Sequence, residues 1–213
     1  MFTATVQLPG SCGELVQGSR CGIPFHVTCP IDMYSTVSVE MSMGKGQVRG
    51  PEGATKAKEA AARTMKYLGR QDLDAELFIS SPLLPGKGMA SSTADVAGAI
   101  LATGLTLGHQ LTPQQVAQIA LSIEPSDGTF FPGIVAFDHR GGKMQLELGS
   151  PPPIDIIVLD FGGEVDTIIF NQQERTDILR SLETQVEKAL ELVREGIRLS
   201  RPEMIGEGAT ISA

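Results

Sequence analysis

The segment PLLPGKGMASSTAD, residues 82–95, brings two glycines, a lysine and two serines together between two apolar stretches. Gly86 and Gly88 allow a turn with positive φ angles, in which backbone N–H groups can approach a ligand closely. Ser91 and Ser92 stand at the start of a run that is typical of a helix, and a helix N-terminus attracts anions through its unpaired N–H groups and its dipole. The segment therefore predicts a phosphate-binding loop between a strand and a helix.

Local composition leaves a second interpretation open, because a serine-capped helix after a glycine-rich turn is a common arrangement. Two familiar nucleotide-binding loops do not match. A Walker A loop needs Ser or Thr directly after the Gly-Lys pair, where Gly88 stands, and the dinucleotide-binding fingerprint needs a third glycine in place of Ser91. The sequence therefore favours neither of those two loops.

A second group of polar residues lies in the segment IEPSDGTFFPG, residues 123–133. Glu124 and Asp127 both fall in this turn-rich stretch, which follows a predicted helix. A carboxylate can ligate Mg²⁺, or accept the proton of an alcohol that lies within hydrogen-bond reach. Asp127 would equally fit an Asx-turn that caps Gly128, so its local sequence leaves both roles open.

The elements that must position these residues are predicted by hydrophobic periodicity. Alternating patterns predict strands at residues 3–8, 25–31, 35–41, 75–81, 133–138, 143–149 and 155–161. Helical patterns predict helices at residues 55–68, 91–108, 111–123 and 177–199. The second helix is apolar nearly all round and should be buried, and the third should begin with a capping box formed by Thr112 and Gln115.

Three consecutive prolines, residues 151–153, form a stiff connector and predict a domain boundary. We expect one domain over residues 1–150 and the start of a second over residues 154–213. The last predicted helix has an apolar face that needs another element to cover it. The residues after this helix end before their own sequence pattern is complete. We therefore expect the second domain to be cut short at the end of this sequence.

Composition excludes several classes of function. The chain has 213 residues, 41% of them hydrophobic, a net charge of −8 and no tryptophan. No cluster of Lys and Arg offers a surface for nucleic acid. The longest uncharged apolar run, Val96–Gly108, is shorter than the about 20 residues that cross a bilayer, and no signal peptide is visible. Three cysteines and three histidines show no metal-binding spacing, so we expect a cytoplasmic protein without zinc.

The two glycines and two serines of the loop, together with Pro82, resemble the second motif of the GHMP kinases, P-x-x-x-G-L-G-S-S-A-A, if Ala90 is an extension before the serine pair. The segment LPGSCGELVQG resembles the first motif, P-G-K-x-x-L-x-G-E, through Pro9 and Gly10, although Ser11 replaces a residue that is often basic. With the segments CPIDMYSTV and LDFGGEVDTIIFN, the resemblance extends over residues 5–171 and is strongest to the L-threonine kinases that serve cobalamin assembly.

This resemblance implies an α+β fold, in which an amino-terminal domain like domain 2 of ribosomal protein S5 precedes a ferredoxin-like domain. It implies ATP and Mg²⁺ as cofactors and a small-molecule alcohol as the substrate, with no nucleic-acid or membrane partner. The phosphates of ATP would bind to the loop formed by Pro85, Gly86, Lys87, Gly88, Met89, Ala90, Ser91 and Ser92.

The resemblance also implies roles for individual side chains. Ser92 and Glu124 would hold Mg²⁺, and Asp127 would take the proton of the hydroxyl group. The spacing of the two acids is short, so these two roles could be shared or exchanged. Lys87 would stabilise the charge that develops on the transferred group, or would be a solvated loop lysine.

An amino-acid substrate brings an ammonium and a carboxylate that need partners. Glu14 and Asp32 are candidates for the ammonium, and the turn Ser11–Cys12–Gly13 could offer N–H groups to the carboxylate. Each of these residues also has a purely structural interpretation.

The expected reaction is the phosphorylation of L-threonine to O-phospho-L-threonine. The alternatives are a homoserine or isoprenoid-alcohol kinase, and a nucleotide-binding module without catalysis. The sequence DFG at residues 160–162 has no accompanying protein-kinase motif and is interpreted as chance.

Overall fold

The structure is a computed structural model that describes residues 2–160, 162–163 and 180–213. The chain divides into two compact units, and two long strands, β1 (Phe2–Arg20) and β2 (Ile23–Met43), pass through both. The first unit consists of Met1–Gly10, Ile31–Leu83 and Ala90–Ser126. The second unit consists of Ser11–Pro30, Leu84–Met89 and Asp127–Ala213.

The sheet of the first unit is built around the second half of β2. This half pairs antiparallel with β4 (Leu73–Ser80), in a register that runs from Thr36 opposite Ser80 to Met43 opposite Leu73. The short strand β3 (Val48–Arg49) pairs in parallel with β4, and β1 pairs with β2. Alternate residues of the second half of β2 are buried, as period-two patterning requires: Val37, Val39 and Met41.

Three helices complete the first unit: α1 (Thr55–Tyr67), α2 (Ser91–Thr106) and α3 (Pro113–Leu121). Helix α2 is almost entirely buried, as its uniformly apolar sequence predicts. Gly98 permits its close approach to β2, because a Cβ atom there would lie 2.6 Å from Cγ2 of Val37. The predicted capping box of α3 is confirmed, since the Gln115 amide donates to the Thr112 hydroxyl and Gln115 Oε1 accepts from the Thr112 amide.

The second unit contains the first half of β2, which pairs antiparallel with β5 (Ile134–Phe137) in a register that sets His26 opposite Phe137. Strand β6 (Gln145–Gly149) pairs antiparallel with β5. A 3-10 turn, Gly128–Phe130, leads into β5. This unit includes the helices α4 (Glu183–Arg198) and α5 (Pro202–Ser212). The core of this unit includes Val16, Phe25, Val27, Ile134, Val186, Leu190, Val193 and Ile205.

Several predicted boundaries need correction. The segment after residue 8 continues β1 to Arg20, and the strands predicted at 25–31 and 35–41 are parts of one strand. The strand predicted at 155–161 was wrong for residues 155–160, which form no regular structure. Their apolar side chains are exposed, for example 88% for Ile157, so no layer among the described residues covers an alternating pattern there.

Helix α4 spans Glu183–Arg198, inside the predicted range, and residues 180 and 181 before it are also helical. Residues 177–179 lie outside the described part of the chain, so the predicted start stays a prediction. The predicted domain boundary at residues 151–153 stays a prediction, because the two compact units are defined by contacts and do not test it. Among the helices that the structure describes, none has the length and hydropathy that a membrane span needs.

Candidate active site

The glycine-rich turn after Leu83 carries backbone N–H groups that make no hydrogen bond of good geometry to another described residue. Gly86 and Gly88 both have φ near +69°, the left-handed conformation that glycine adopts without a steric penalty. Among the hydrogen bonds of the described residues, none has a backbone N–H group of residues 86–92 as its donor. A Cβ atom at Gly88 would meet nothing within 4 Å, so the turn is open on that side. Unpaired amides on an open turn are what an anion requires.

The N-terminus of helix α2 has no side-chain cap. Its N-cap residue is Ala90, which has φ +51° and makes no side-chain capping hydrogen bond. The alternative of a serine-capped helix is therefore not what the structure contains. The left-handed Ala90 also corrects the motif alignment: it occupies a position that suits glycine, so Gly88-Met89-Ala90-Ser91-Ser92 matches G-L-G-S-S without an extension.

In the first unit, Ser92 and Glu124 are direct neighbours. The Ser92 hydroxyl donates a hydrogen bond to one carboxylate oxygen of Glu124, and the ammonium of Lys56 contacts the other oxygen. The Glu124 side chain is only 14% exposed. The two residues for which the sequence predicts Mg²⁺ binding thus lie together, and both offer the oxygen ligands that this ion prefers. Lys56 had no distinguishing signal in the sequence, because it is one of three lysines in helix α1.

In the second unit, the strand β1 supports the glycine-rich turn through its main chain. The Ser11 amide donates to the carbonyl of Met89 at 3.0 Å, and the Gly13 amide donates to the carbonyl of Gly88 at 3.3 Å. The Ser11 hydroxyl donates to the same Gly88 carbonyl at 3.2 Å. These two amides are already bonded in this structure, and binding of a substrate carboxylate by the turn Ser11–Cys12–Gly13 stays a prediction. Ser11 orients the turn.

Lys87 is held by an acidic partner in the same unit. Its ammonium lies 2.9 Å from Oδ1 of Asp160, which also accepts a hydrogen bond from the Gly162 amide. The hydrogen bond from Lys87 and that from Gly162 hold the pKa of the Asp160 carboxyl below its ordinary value. Lys87 is therefore not a freely solvated lysine. The sequence DFG had drawn attention to Asp160, but only in the context of protein kinases.

Two acids and an imidazole of the second unit form one cluster. His26 Nδ1 lies 3.7 Å from Oδ1 of Asp127 and 3.9 Å from Oε1 of Glu14. One ligand atom from each of the three side chains lies within 4.8 Å of the others, a spacing that fits a small cation or an ammonium group. Burial raises the pKa of Glu14 well above its ordinary value, and the negative charge of Asp127 adds to this shift.

Asp127 does not have the capping role that its sequence allowed. It is the residue before the 3-10 turn Gly128–Phe130, but its side chain makes no capping hydrogen bond there. The structure therefore leaves its carboxylate oriented towards His26 rather than towards the amides of the turn. His26 itself was missed in the sequence analysis, where the histidines were considered only as ligands of zinc.

A second histidine packs against the first. The rings of His26 and His139 are stacked, with centroids 3.8 Å apart and planes inclined by 9°. His139 Nε2 accepts a hydrogen bond from Nε of Arg140 at 3.3 Å. Burial lowers the pKa of His139 to about 3, and nearby His26 and Arg140 contribute to the shift. His139 is therefore a neutral ring at physiological pH.

The remaining substrate candidates are less prominent. Asp32 is exposed in the first unit, and no hydrogen bond or ion pair with another described residue involves its side chain. Cys12 and Cys29 are free thiols in the second unit. Burial raises the pKa of Cys12, and burial with the charges of Cys12 and Glu14 raises the pKa of Cys29 to about 11. Neither thiol is activated as a nucleophile.

Comparison with known proteins gives a consistent result. Residues 55–131 match the family described as GHMP kinases N terminal domain. The chain is 36% identical over 210 residues to "L-threonine kinase" of Salmonella typhimurium strain LT2, covering 99% of this chain and 69% of that protein. It is 33% identical over 210 residues to "L-threonine kinase" of Citrobacter freundii, covering 99% and 72%.

A solved structure agrees in fold. Homoserine kinase from Cytophaga hutchinsonii superposes with a TM-score of 0.66 and covers 98% of this chain and 71% of that chain. The identity in this superposition is 15%, so it speaks for the fold alone.

Proposed function

Because this chain belongs to the GHMP kinase family, we propose that it transfers the γ-phosphoryl group of ATP to the side-chain hydroxyl of L-threonine. The observation that carries the proposal is that no backbone N–H group of residues 86–92 donates a hydrogen bond to another described residue. Backbone amides and a helix N-terminus bind phosphate without needing a basic surface, which agrees with the acidic composition of the chain. Two relatives are named L-threonine kinase, and they support L-threonine as the acceptor of the phosphoryl group.

ATP would lie with its phosphates on the loop of residues 85–92. Gly86 and Gly88, both in the left-handed conformation, would supply backbone N–H groups from the turn. Ser91 and Ser92 would supply the N–H groups at the uncapped start of α2. Lys87 would exchange its contact with Asp160 for a phosphate oxygen. Phosphoryl transfer needs mainly positioning and charge neutralisation, and this segment can contribute to both.

Mg²⁺ fits the pair Ser92 and Glu124, because a hydroxyl and a carboxylate that already touch can supply two hard oxygen ligands. When bound, Mg²⁺ would neutralise phosphate charge. Lys56 would keep the carboxylate of Glu124 in place by holding its second oxygen.

In the second unit, Asp127 would accept the proton of the threonine hydroxyl, and Glu14 would bind the α-ammonium. Both acids lie beside His26 in a partly buried cluster, where an ammonium would find two carboxylates. Cys12 would line this cluster, and Asp32 has no contact that supports a role in it. The product would be O-phospho-L-threonine, which the resemblance links to the aminopropanol arm of cobalamin. We further propose that residues 1–150 and 154–213 belong to the amino- and carboxy-terminal GHMP kinase domains.

The test is a kinase assay on the purified chain with Mg²⁺–ATP and, separately, L-threonine, L-serine, homoserine and mevalonate. Phosphorus NMR would identify the phosphorylated product directly. We expect O-phospho-L-threonine to form fastest. Equal or faster turnover of homoserine or mevalonate would reassign the substrate. If ATP stabilises the protein against heat but no acceptor is phosphorylated, the chain is a nucleotide-binding module.

A further inference from the structure

We propose that His26 is a positioning residue that holds the carboxylate of Asp127 in place for the acceptor hydroxyl, with the buried ring of His139 as its support. This inference rests on the proposed function, since it takes Asp127 as the proton acceptor. It concerns a residue for which neither the motifs nor the relatives supply a role.

The first argument is the position of the Nδ1 atom of His26. It is buried and has no hydrogen-bond partner among the described residues, yet it faces Asp127 at 3.7 Å and Glu14 at 3.9 Å. A histidine with a purely structural role satisfies its buried nitrogen with a carbonyl or hydroxyl group. The nearest charged atoms here are two carboxylate oxygens just beyond hydrogen-bond distance, and such contacts shorten when a substrate closes the site.

The second argument is the chemistry of the partners. An ionised carboxylate only accepts hydrogen bonds, so Nδ1 must carry a proton to interact favourably with Asp127. Burial raises the pKa of Glu14, and repulsion by the negative charge of Asp127 adds to the shift. An N–H group between the two acids reduces that repulsion and fixes the orientation of Asp127 without replacing it as the base.

The third argument is that the fold holds the His26 ring at a defined angle. His26 stands opposite Phe137 in the β2–β5 register, and His139 follows two residues later, so the two imidazoles stack. Asp138 fixes the turn that carries His139, because its carboxylate accepts hydrogen bonds from the amides of Arg140, Gly141 and Lys143. Burial keeps the His139 ring neutral beside His26, and Arg140 donates a hydrogen bond to its Nε2 atom.

Every charged group around the cluster is consistent with this role. The acids Glu14 and Asp127 face His26 directly, and Asp138 and Arg140 act on the far ring of His139. The thiol of Cys29, near Glu14, and the thiol of Cys12, near Cys29, are neutral because burial raises the pKa of both. Of the three side chains of the cluster, the imidazole of His26 is the one that carries an N–H group.

The experiment replaces His26 with two residues whose side-chain amide groups imitate different nitrogen atoms of the imidazole ring. His26→Asn places its side-chain nitrogen near the position of Nδ1, whereas His26→Gln reaches the position of Nε2. We expect His26→Asn to keep kcat within about threefold of the wild type, and His26→Gln to lower kcat about 30-fold at an unchanged KM for ATP. This loss is smaller than the about 10²–10⁴-fold contribution of general acid–base catalysis, because Asp127 itself remains in the variant. The matched control is His109→Gln, which alters an exposed histidine of the first unit and should leave kcat unchanged.

Two results would overturn the inference while the wild type remains active on threonine: wild-type kcat in His26→Gln, or equal losses in the Asn and Gln variants. A second measurement does not depend on activity. The nitrogen-15 NMR shifts of the wild-type imidazole report which nitrogen carries the proton, and we expect Nδ1 of His26 to be protonated at pH 7.5. A ring protonated only on Nε2 contradicts the inference. Absence of phosphothreonine in the wild type would instead count against the proposed function.

Discussion

The hydroxyl of Ser92 donates a hydrogen bond to the carboxylate of Glu124, which lies 32 positions further along the chain. This bond joins the first turn of α2 to the segment that follows α3. Lys56 contacts the other oxygen of the carboxylate, so Glu124 is anchored on both sides. A side chain that is held in this way loses little further rotational freedom when it binds a cation, and such preorganisation favours binding.

The first prediction concerns this pair. Ser92→Ala removes one oxygen ligand from the proposed Mg²⁺ site, and we expect the Mg²⁺ concentration for half-maximal activity to rise at least about tenfold, which is about 1.4 kcal/mol of binding free energy. A titration of activity with Mg²⁺ at fixed ATP measures this. Ser42→Ala is the control, since it removes an exposed hydroxyl from β2. An unaltered Mg²⁺ requirement in Ser92→Ala would exclude the ligand role.

The second prediction concerns proton transfer. Asp127→Asn keeps the size of the side chain but removes its basicity, so we expect kcat to fall by about 10²–10⁴. Binding of ATP should persist, and thermal stabilisation by Mg²⁺–ATP measures it. Glu52→Gln, an exposed amide substitution in a turn, serves as the control. Unchanged turnover in Asp127→Asn removes the assignment of the base.

The third prediction separates backbone strain from ligand binding. Gly88→Ala and Gly53→Ala both put a side chain on a residue with positive φ, +69° and +83°, and neither Cβ atom would meet another atom within 4 Å. Each variant should therefore lose about 1–2 kcal/mol of stability. Only Gly88→Ala should also raise the KM for ATP, about tenfold or more. Equal KM values in the two variants would show that the turn does not touch the nucleotide.

The fourth prediction concerns Ala90, whose left-handed conformation is unfavourable for a residue with a Cβ atom. Ala90→Gly removes strain of about 1–2 kcal/mol and costs about 0.4–1 kcal/mol through the entropy of the unfolded chain. We expect a net gain of about 0.5–1 kcal/mol in urea unfolding. Ala62→Gly, inside helix α1, has the opposite expectation, a loss of about 1 kcal/mol. A loss of similar size in both variants contradicts the strain at Ala90.

The fifth prediction concerns pH. In the folded chain, burial lowers the pKa of His139 from its ordinary value of 6.5 to about 3. Below pH 6.5 the unfolded chain therefore binds a proton that the folded chain does not, and stability falls as the pH falls. This one group should cost about 2 kcal/mol between pH 8 and pH 5. Urea unfolding of the wild type and of His139→Asn at both pH values measures the difference, which should shrink in the variant. If NMR shows that His139 titrates near pH 6 in the folded protein, the prediction is wrong.

The sequence predicted the parts of the structure that depend on local pattern. The family resemblance and the α+β fold are confirmed, and so are the buried helix α2, the capping box of α3 and the strands around the site. These features follow from hydrophobic periodicity and from residue types that favour one conformation. The roles of the site residues stay predictions, because no ligand tests them.

Features that depend on tertiary contacts were missed. Lys56 and Asp160 have ordinary sequence surroundings, and only the fold makes them partners of Glu124 and Lys87. His26 and His139 are 113 residues apart, a distance over which periodicity carries no information. The strand predicted at residues 155–161 is absent from residues 155–160 for the converse reason, since an alternating pattern forms a strand only where a neighbouring element can cover it.

The bonds from the amides of Ser11 and Gly13 to the turn at residues 88–89 have a consequence for divergence among homologous chains. A main-chain amide is the same in every residue except proline, so this brace survives almost any substitution at position 11. A lineage can therefore exchange a basic residue for serine there and retune the local charge, while the shape of the neighbouring turn is inherited unchanged. Only proline at position 11 or 13 would detach the two segments, because it has no N–H group to donate.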